Sequence, residues 1–240
     1  MEPGNGHDKR KLFDLVFQHF NPNTLYEGIV CSKYIGSDYT NAAGMGFRIN
    51  EEGTVVLNPY FNTDTIKNLA IGTLFSLNIS DDSLSYAKAA LTGWGKGAFE
   101  PEFDIADYNN DGETKFPYLK TANIVIIARV KEIKPYLRNE VPTGNKIYSE
   151  IEELIIKTTP KNYCSREFPL ILEALISATR AKAAKDREEE PEKLFHYSVI
   201  SDVFVKLKRF SVDEKIKGTI EFIKKWVCET VEQEFLDWLS

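Results

Sequence analysis

This 240-residue chain has only three cysteines, Cys31, Cys164 and Cys228. They are odd in number, widely spaced and form no C-x-x-C, so neither a disulfide framework nor a zinc site is expected. Cys31 falls in an apolar strand and Cys228 in a helix, the usual settings of buried free thiols. Basic charge is also short. Thirty Lys and Arg stand against thirty-six Asp and Glu, a net charge of -6. A protein that reads nucleic acid usually carries a basic domain, so no nucleic-acid partner is expected. No apolar run reaches membrane-spanning length, so no membrane partner is expected either. Residues Met1–Gly6 contain no apolar signal region, and a cytoplasmic location is expected.

Catalytic motifs are equally scarce. Cys31, His19 and His196 have no sequence partner at a diagnostic spacing, which leaves no legible nucleophile–base pair. No carboxylate or metal-ligand constellation marks a nuclease or hydrolase. No G-x-G-x-x-G is present, and Leu91-Thr92-Gly93-Trp94-Gly95-Lys96-Gly97 lacks the spacing of a phosphate loop, so it reads as a connection. Asp107-Tyr108-Asn109-Asn110-Asp111-Gly112 matches the first half of an EF-hand. The twelfth position should be a bidentate Glu and is Tyr118, so no calcium site is expected and the segment reads as an Asx-rich turn.

What is present is ordinary globular composition, 42% hydrophobic and 28% charged. Residues 1–10 are rich in Gly, Asn and charge and read as disordered. Leu12, Leu15, Val16 and His19 share a face of a short leading helix over 11–20. A strand-and-turn series follows. Strands are expected at 26–32, 41–49, 54–59 and 74–79, with turns at 36–38 and 51–53. A short helix is expected over 62–69. Another follows Ser80-Asp81-Asp82 and runs through Tyr86, Ala87, Ala90 and Leu91. Residues 98–117 read as an acidic loop. Residues 122–136 form a strong strand that closes the sheet begun at residue 26, giving a small antiparallel barrel.

After Gly144 the spacing reads as helical. Ile147, Ile151, Leu154 and Ile155 mark a first helix, and Phe168 to Thr179 a second that ends in a basic run. A third runs from Pro191 to Arg209 and a fourth from Ser211 to Trp238. Four amphipathic helices with short links predict a bundle-like lobe. The expected organisation is an extension with a short helix at 1–23, an antiparallel barrel at 24–144 and a helical lobe at 145–240. The fold class is α+β.

Within the barrel, one strand is built from Asn41, Ala42, Ala43, Gly44, Met45 and Gly46, between strands of bulky residues. Small residues weaken a strand unless another backbone or a ligand must come close. The segment Asn62-Thr63-Asp64-Thr65 offers good helix caps. Its N–H groups, with the Thr63 and Thr65 hydroxyls and Lys67, form either a plain cap or an anion site. Asn78 sits among apolar neighbours, and a buried Asn must find partners. It either closes a backbone gap or holds a polar ligand edge. Arg180, ending the second helix, is either a solvated charge complementing the helix dipole or a phosphate contact.

The segments Tyr26–Val30, Asn41–Gly46, Asn62-Thr63-Asp64-Thr65-x-x-Asn68-Leu69 and Asn78–Asp82, in this order, resemble the largely archaeal FMN-binding split-barrel proteins of unknown function (domain of unknown function 447). These are distant relatives of flavin reductases and pyridoxamine-phosphate oxidases. Glu173-Ala174-Leu175-Ile176-x-Ala178-Thr179-Arg180 is similar to that family's helical lobe. The likeness covers about residues 24–240. It implies an antiparallel split β-barrel followed by a helical lobe, in a homodimer with one FMN per subunit near the interface. Carried over by position, Asn41, Ala43, Gly44, Met45 and Gly46 offer backbone groups to the isoalloxazine edge. Thr63, Thr65 and Asn68 lie near the phosphate or ribityl chain, Asn78 and Ser80 line the ring or ribityl, and Arg180 approaches the phosphate. Relatives often carry proline where this chain has Gly44. The function implied is an FMN-dependent oxidoreductase or flavin reductase with a small-molecule electron donor or acceptor. A non-catalytic flavin carrier or sensor and a cofactor-free interaction module are the alternatives.

Overall fold

The computed structural model describes residues 6–34, 40–61, 63–91, 105–110, 114–138, 141–159, 167–210 and 214–231. They form two compact units. The first comprises Met1–Ile79 and Asp104–Thr159, and the second Ser80–Phe103 and Pro160–Ser240.

The first unit is a closed antiparallel barrel of β1 (Tyr26–Lys33), β2 (Thr40–Ile49), β3 (Thr54–Leu57), β4 (Leu74–Ile79), β7 (Ile124–Arg138) and β8 (Val141–Ile156), in the order β1-β2-β3-β8-β7-β4. A separate hairpin, β5 (Ile105–Asn110) with β6 (Thr114–Leu119), belongs to the same unit. The interior is filled by alternate residues, among them Val30, Phe47, Leu57, Leu77 and Ile147, all fully or nearly fully buried.

Each end of β1 and β2 is closed differently. At one end α1 (Gly6–His19) delivers Phe20, whose ring meets Tyr26 edge-on at 5.3 Å and Phe47 at 5.9 Å. Gly53, at φ +75 in the β2–β3 turn, leaves the room that the Phe13 ring of α1 fills. At the other end sits α2 (Asp64–Asn68). Thr65 Oγ accepts a hydrogen bond from Asn41 Nδ2 at 3.2 Å, and Asn68 Nδ2 donates to Ser32 Oγ at 3.2 Å.

The expected helix over 147–155 is a strand. Ile147, Ser149 and Ile151 alternate into the barrel until a bulge intervenes, where Ile127 pairs with Glu153 and Ala128 with Ile151. The extra residue, Glu152, shifts the alternation by one, so the apolar positions imitate a helical period. The barrel unit therefore runs to 159 rather than 144. Strand 122–136, observed as β7, takes part in closing the barrel through β4 rather than by pairing β1 itself. β4 stands between them, pairing β1 on one edge and β7 on the other. The expected acidic loop contains β5 and β6, and the half EF-hand lies largely in β5. Residues 6–10, expected as disordered, belong to α1. The Gly93–Gly97 connection, Asn62 and the turn at 36–38 lie outside the described residues.

The second unit holds α3 (Ser83–Leu91), α4 (Glu167–Asp186), α5 (Glu190–Phe210) and α6 (Glu214–Thr230). Four helices were expected, and α3 takes the place of the one misread in β8. The Asp82 carboxylate caps α3 by accepting the Ser85 N–H at 3.1 Å. Trp226 is fully buried and its indole N–H donates to Leu91 O at 2.9 Å, tying α6 to α3. Ser83 and Thr219 share a buried hydroxyl bond at 2.9 Å. Glu188 turns α4 into α5 in the left-handed conformation, φ 60, with Glu189 N donating back to Ala184 O at 2.9 Å.

Gly144 sits tight against the backbone of the segment after β3. A Cβ there would lie 2.3 Å from Pro59 O. Two bonds fix that approach, Asn145 N to Pro59 O and Phe61 N to Thr143 O, each 3.2 Å. Gly144→Ala should therefore lower stability by about 1–3 kcal/mol, the range of overpacking. Urea unfolding checks this, and an unchanged midpoint would contradict the contact.

Candidate functional site: the open edge of β2

β2 is paired with β1 from Phe47↔Tyr26 to Thr40↔Lys33. Its other edge is paired with β3 only at Phe47, Arg48 and Ile49. Beyond Leu57 the chain leaves β2 and follows β8, through the Tyr60↔Gly144 bridge. Among the described residues no strand pairs the second edge of β2 from Thr40 to Gly46.

The backbone direction along this edge follows from the turn. Asn50 N donates to Thr54 O across it at 3.0 Å. Antiparallel strands alternate which side each residue's N–H and C=O face. Arg48, Gly46, Gly44 and Ala42 therefore aim theirs at the β3 side, and only Arg48 meets β3 there. Their side chains share the face opposite to that of Phe47. At the three unpaired positions those side chains are a hydrogen, a hydrogen and a methyl. Asn41, Ala43 and Met45 project from the Phe47 side. The five predicted strand residues thus split between the two faces.

Free strand edges are ordinarily guarded by charge or proline. β7 beyond Val130 shows the guarded form, with Lys131, Glu132, Lys134 and Pro135 in succession. The open stretch Asn41–Gly46 carries neither. Glu27 stands opposite Gly46, its Oε1 3.4 Å from where a Cβ would be, and burial pushes its carboxyl pKa up.

The polar residues around α2 are mostly committed to one another. The Thr63 hydroxyl donates to Tyr60 O at 3.0 Å and accepts the Ile66 N–H at 3.3 Å, so it is a cap. Asp64 bonds Lys67 Nζ at 2.9 Å and accepts from the Tyr34 hydroxyl at 3.1 Å. The Lys67 bond, then that of Tyr34, lowers the Asp64 pKa, and the ion pair with Lys67 balances the carboxylate's charge. Thr65 and Asn68 are buried and hold β1 and β2 as described.

Asn78 resolves to the structural alternative. It is 0% exposed. Its Nδ2 donates to Ile29 O at 3.0 Å and Ser76 Oγ at 3.0 Å, and its Oδ1 accepts the Leu119 N–H at 2.9 Å. Ser76 Oγ in turn donates to Pro117 O at 2.7 Å. These bonds fasten the β5–β6 hairpin over β1 and β4, and they leave the Asn78 amide no free edge for a ligand. Cys31, beneath the same layer, is 0% exposed, and burial pushes its thiol up to about 12. It stays protonated and is no nucleophile.

Ser80 and Arg180 belong to the second unit. Ser80 is buried, and its Oγ accepts the Asp82 N–H at 3.1 Å at the start of α3. Arg180 is exposed on α4. Sequence reading found no partner at a diagnostic spacing for His196 of α5, whose surroundings in the fold include Arg180, Glu192 and Glu173. Its only sequence signal was a lone His in an apolar stripe.

Comparison with known proteins bears on this geometry. Residues 26–159 match the family described as protein of unknown function (DUF447), N-terminal domain. The chain belongs to this family. The match spans β1 to β8 and therefore includes the open edge and its α2 neighbour. Among solved structures, an FMN-bound protein of the same family from Methanosarcina mazei is similar. It shares 17% identity over 89% of this chain and 100% of its own, at TM-score 0.61. A flavoredoxin from Methanosarcina acetivorans matches at 16% identity over 57% of this chain and 74% of its own, TM-score 0.45. Nitrilotriacetate monooxygenase component B from Bacillus cereus matches at 16% identity over 69% of this chain and 84% of its own, TM-score 0.45. No curated protein matches the sequence. The first likeness shows that the chain has the α+β split-barrel fold expected from its sequence. Among the described residues no helix is long and apolar enough to cross a membrane.

Two measurements test the roles assigned here. Asn78→Ala leaves the buried Leu119 N–H without its side-chain partner and should cost about 1–3 kcal/mol. A chemical unfolding midpoint equal to that of the unsubstituted protein would remove Asn78 from the barrel's fastening. For His196, burial first and then Arg180 lower its pKa in the folded state. The unfolded chain then binds the proton more readily. Stability should be complete above the ordinary histidine value of about 6.5 and should fall as pH drops through it, until the folded pKa is reached. Urea unfolding at stepped pH checks the sign, and His196→Gln should flatten this component.

Proposed function

We propose that this protein is an FMN-binding flavoprotein that acts as an oxidoreductase or flavin reductase, with the flavin ring against the open edge of β2. The observation that carries the reading is that edge, which is unpaired and carries neither charge nor proline. Its backbone groups are presented by Gly46, Gly44 and Ala42. The pyrimidine end of an isoalloxazine ring offers alternating carbonyl acceptors and an N–H donor, complementary to a strand edge. The absence of bulky side chains on the edge-facing residues lets a flat ring approach the backbone. The FMN-bound state of the Methanosarcina mazei family member supports the same assignment.

When bound, FMN supplies hydride and single-electron transfer between a small-molecule donor and acceptor. The chain supplies binding and orientation. Gly46, Gly44 and Ala42 hold the ring edge through their N–H and C=O groups. The bonds of Asn41 to Thr65 and of Ser32 to Asn68 keep the adjoining end of the strand in place. Burial lets Glu27 retain a carboxyl proton to higher pH than a solvated glutamate. The reading includes a homodimer, and exposed Tyr60 and Phe61, in the segment that leaves β2, offer an apolar contact surface for it.

The test is a visible absorption spectrum of purified protein before and after incubation with FMN and desalting, followed by a fluorescence titration. Flavin bands that survive desalting, or a saturable titration, are expected. Gly46→Pro removes an edge-facing N–H while the β1 ladder, made by the odd-numbered residues, persists. It should weaken FMN by about tenfold, the scale of one hydrogen bond. Absence of any flavin binding would overturn the proposal and favour a strand of another chain on this edge. An unchanged affinity in Gly46→Pro with retained circular dichroism would move the ring elsewhere.

A further inference from the structure

Beyond Val130, β7 continues alongside β8 in the register Glu132↔Tyr148, Lys134↔Lys146 and Tyr136↔Gly144. Residues directly opposite one another share a face of a sheet. Lys134, Tyr136, Lys146 and Tyr148 therefore project on the side away from Ile147, which is fully buried in the barrel. Two contacts fix this arrangement. Lys134 Nζ lies 5.1 Å and Lys146 Nζ 5.5 Å from the centroid of the Tyr148 ring. Two ammonium groups thus converge on one ring, and like charges directly opposite in a sheet repel. Lys134 is paired with Glu132 at 2.9 Å, but both side chains are more than half exposed and such a pair is weak. Among the described residues Lys146 makes no ion pair.

Charge that guards a free edge accounts for Lys134, which stands on β7. It does not account for Lys146. There β8 is an inner strand, paired with β7 on one side and bonded on the other through Asn145 N to Pro59 O. An anion between the two ammonium groups would turn their repulsion into attraction. Beside them, Tyr136 is 37% exposed, and its partner across the strands is Gly144, so no β8 side chain stands opposite its ring. Cations next to an open aromatic ring on a sheet surface suit a ligand that joins a phosphate to a flat base.

We propose that this face of β7 and β8 binds a nucleotide, its base stacked on Tyr136 and its phosphate held between Lys134 and Lys146. Lys134 and Tyr136 are two residues apart on one strand, about 7 Å, the scale that separates a base from its 5′-phosphate. A chain of net charge -6 with two lysines at the site suits a mononucleotide rather than a polynucleotide. Binding changes no covalent bond. The site lies within the barrel unit and does not rest on the flavin reading.

The experiment is equilibrium dialysis of AMP against the full chain, with amide shift mapping by NMR to locate it. AMP should bind saturably, more weakly as salt rises, and should shift residues 132–136 and 144–148. Adenosine and inorganic phosphate, each half of the ligand, should bind more weakly than AMP. Lys146→Gln, which keeps most of the side chain, and Tyr136→Ala should each weaken AMP about tenfold, the scale of one charge-assisted contact. Lys206→Ala, on α5, and Gly46→Pro, on β2, should leave AMP binding unchanged. Absence of saturable AMP binding overturns the inference, as does an unchanged affinity in Lys146→Gln and Tyr136→Ala. Loss of AMP binding in Gly46→Pro would move the nucleotide to the β2 edge and overturn it too. Tighter binding of a single-stranded oligonucleotide than of AMP would replace the mononucleotide with nucleic acid.

Discussion

The approach of Pro59 to Gly144 decides where this barrel opens. β3 pairs with β2 only from Ile49 to Phe47 and then stays with β8. Only a residue without a Cβ admits Pro59 O this close. Once Asn58–Phe61 is held against Thr143–Asn145, it cannot also pair with Gly46 or Gly44. The candidate site is therefore a consequence of a backbone contact made elsewhere in the sheet. The residues at the site need only leave the edge clean.

Polar atoms do the fastening around that opening. The Asn78 amide satisfies groups on β1 and β6 at once and binds the β5–β6 hairpin over a face that carries Ile29 and Cys31. At the α2 end, the Asn41–Thr65 and Ser32–Asn68 bonds stitch the helix to β2, which carries the edge, and to β1 beside it. Buried polar groups that are fully served in this way specify one arrangement, because any other leaves them unpaired. The imidazole of His196 is the contrasting case. Its Nδ1 is buried without that service.

The two units differ in how their residues announce themselves. Strands β1 to β4 alternate apolar and polar or small residues and are bounded by turn residues, so their order was legible. Helices α4 and α5 repeat apolar residues at helical spacing and begin at Glu167 and Glu190, close to their expected starts. β8 was misread because the bulge at Glu152 shifts its alternation, and a shifted two-residue period resembles a helical one over so short a stretch. The small-residue strand was correctly singled out. That it has an open edge, and that Gly46, Gly44 and Ala42 rather than Ala43 and Met45 face it, depends on pairing, which composition does not encode.

The sequence by itself determined the α+β class, the succession of the first four strands and the helices after Glu167. Those follow from local periodicity and turn chemistry, which each segment carries alone. Family membership was legible for the same reason, through short motifs in a fixed order. Only the tertiary structure decided the fate of the polar residues. Asn78 fastens β1 to β6, Thr63 caps α2, and Asp64 pairs with Lys67 and Tyr34. A polar side chain has several partners within reach of its chemistry, and which one it takes is settled by groups far away in the chain.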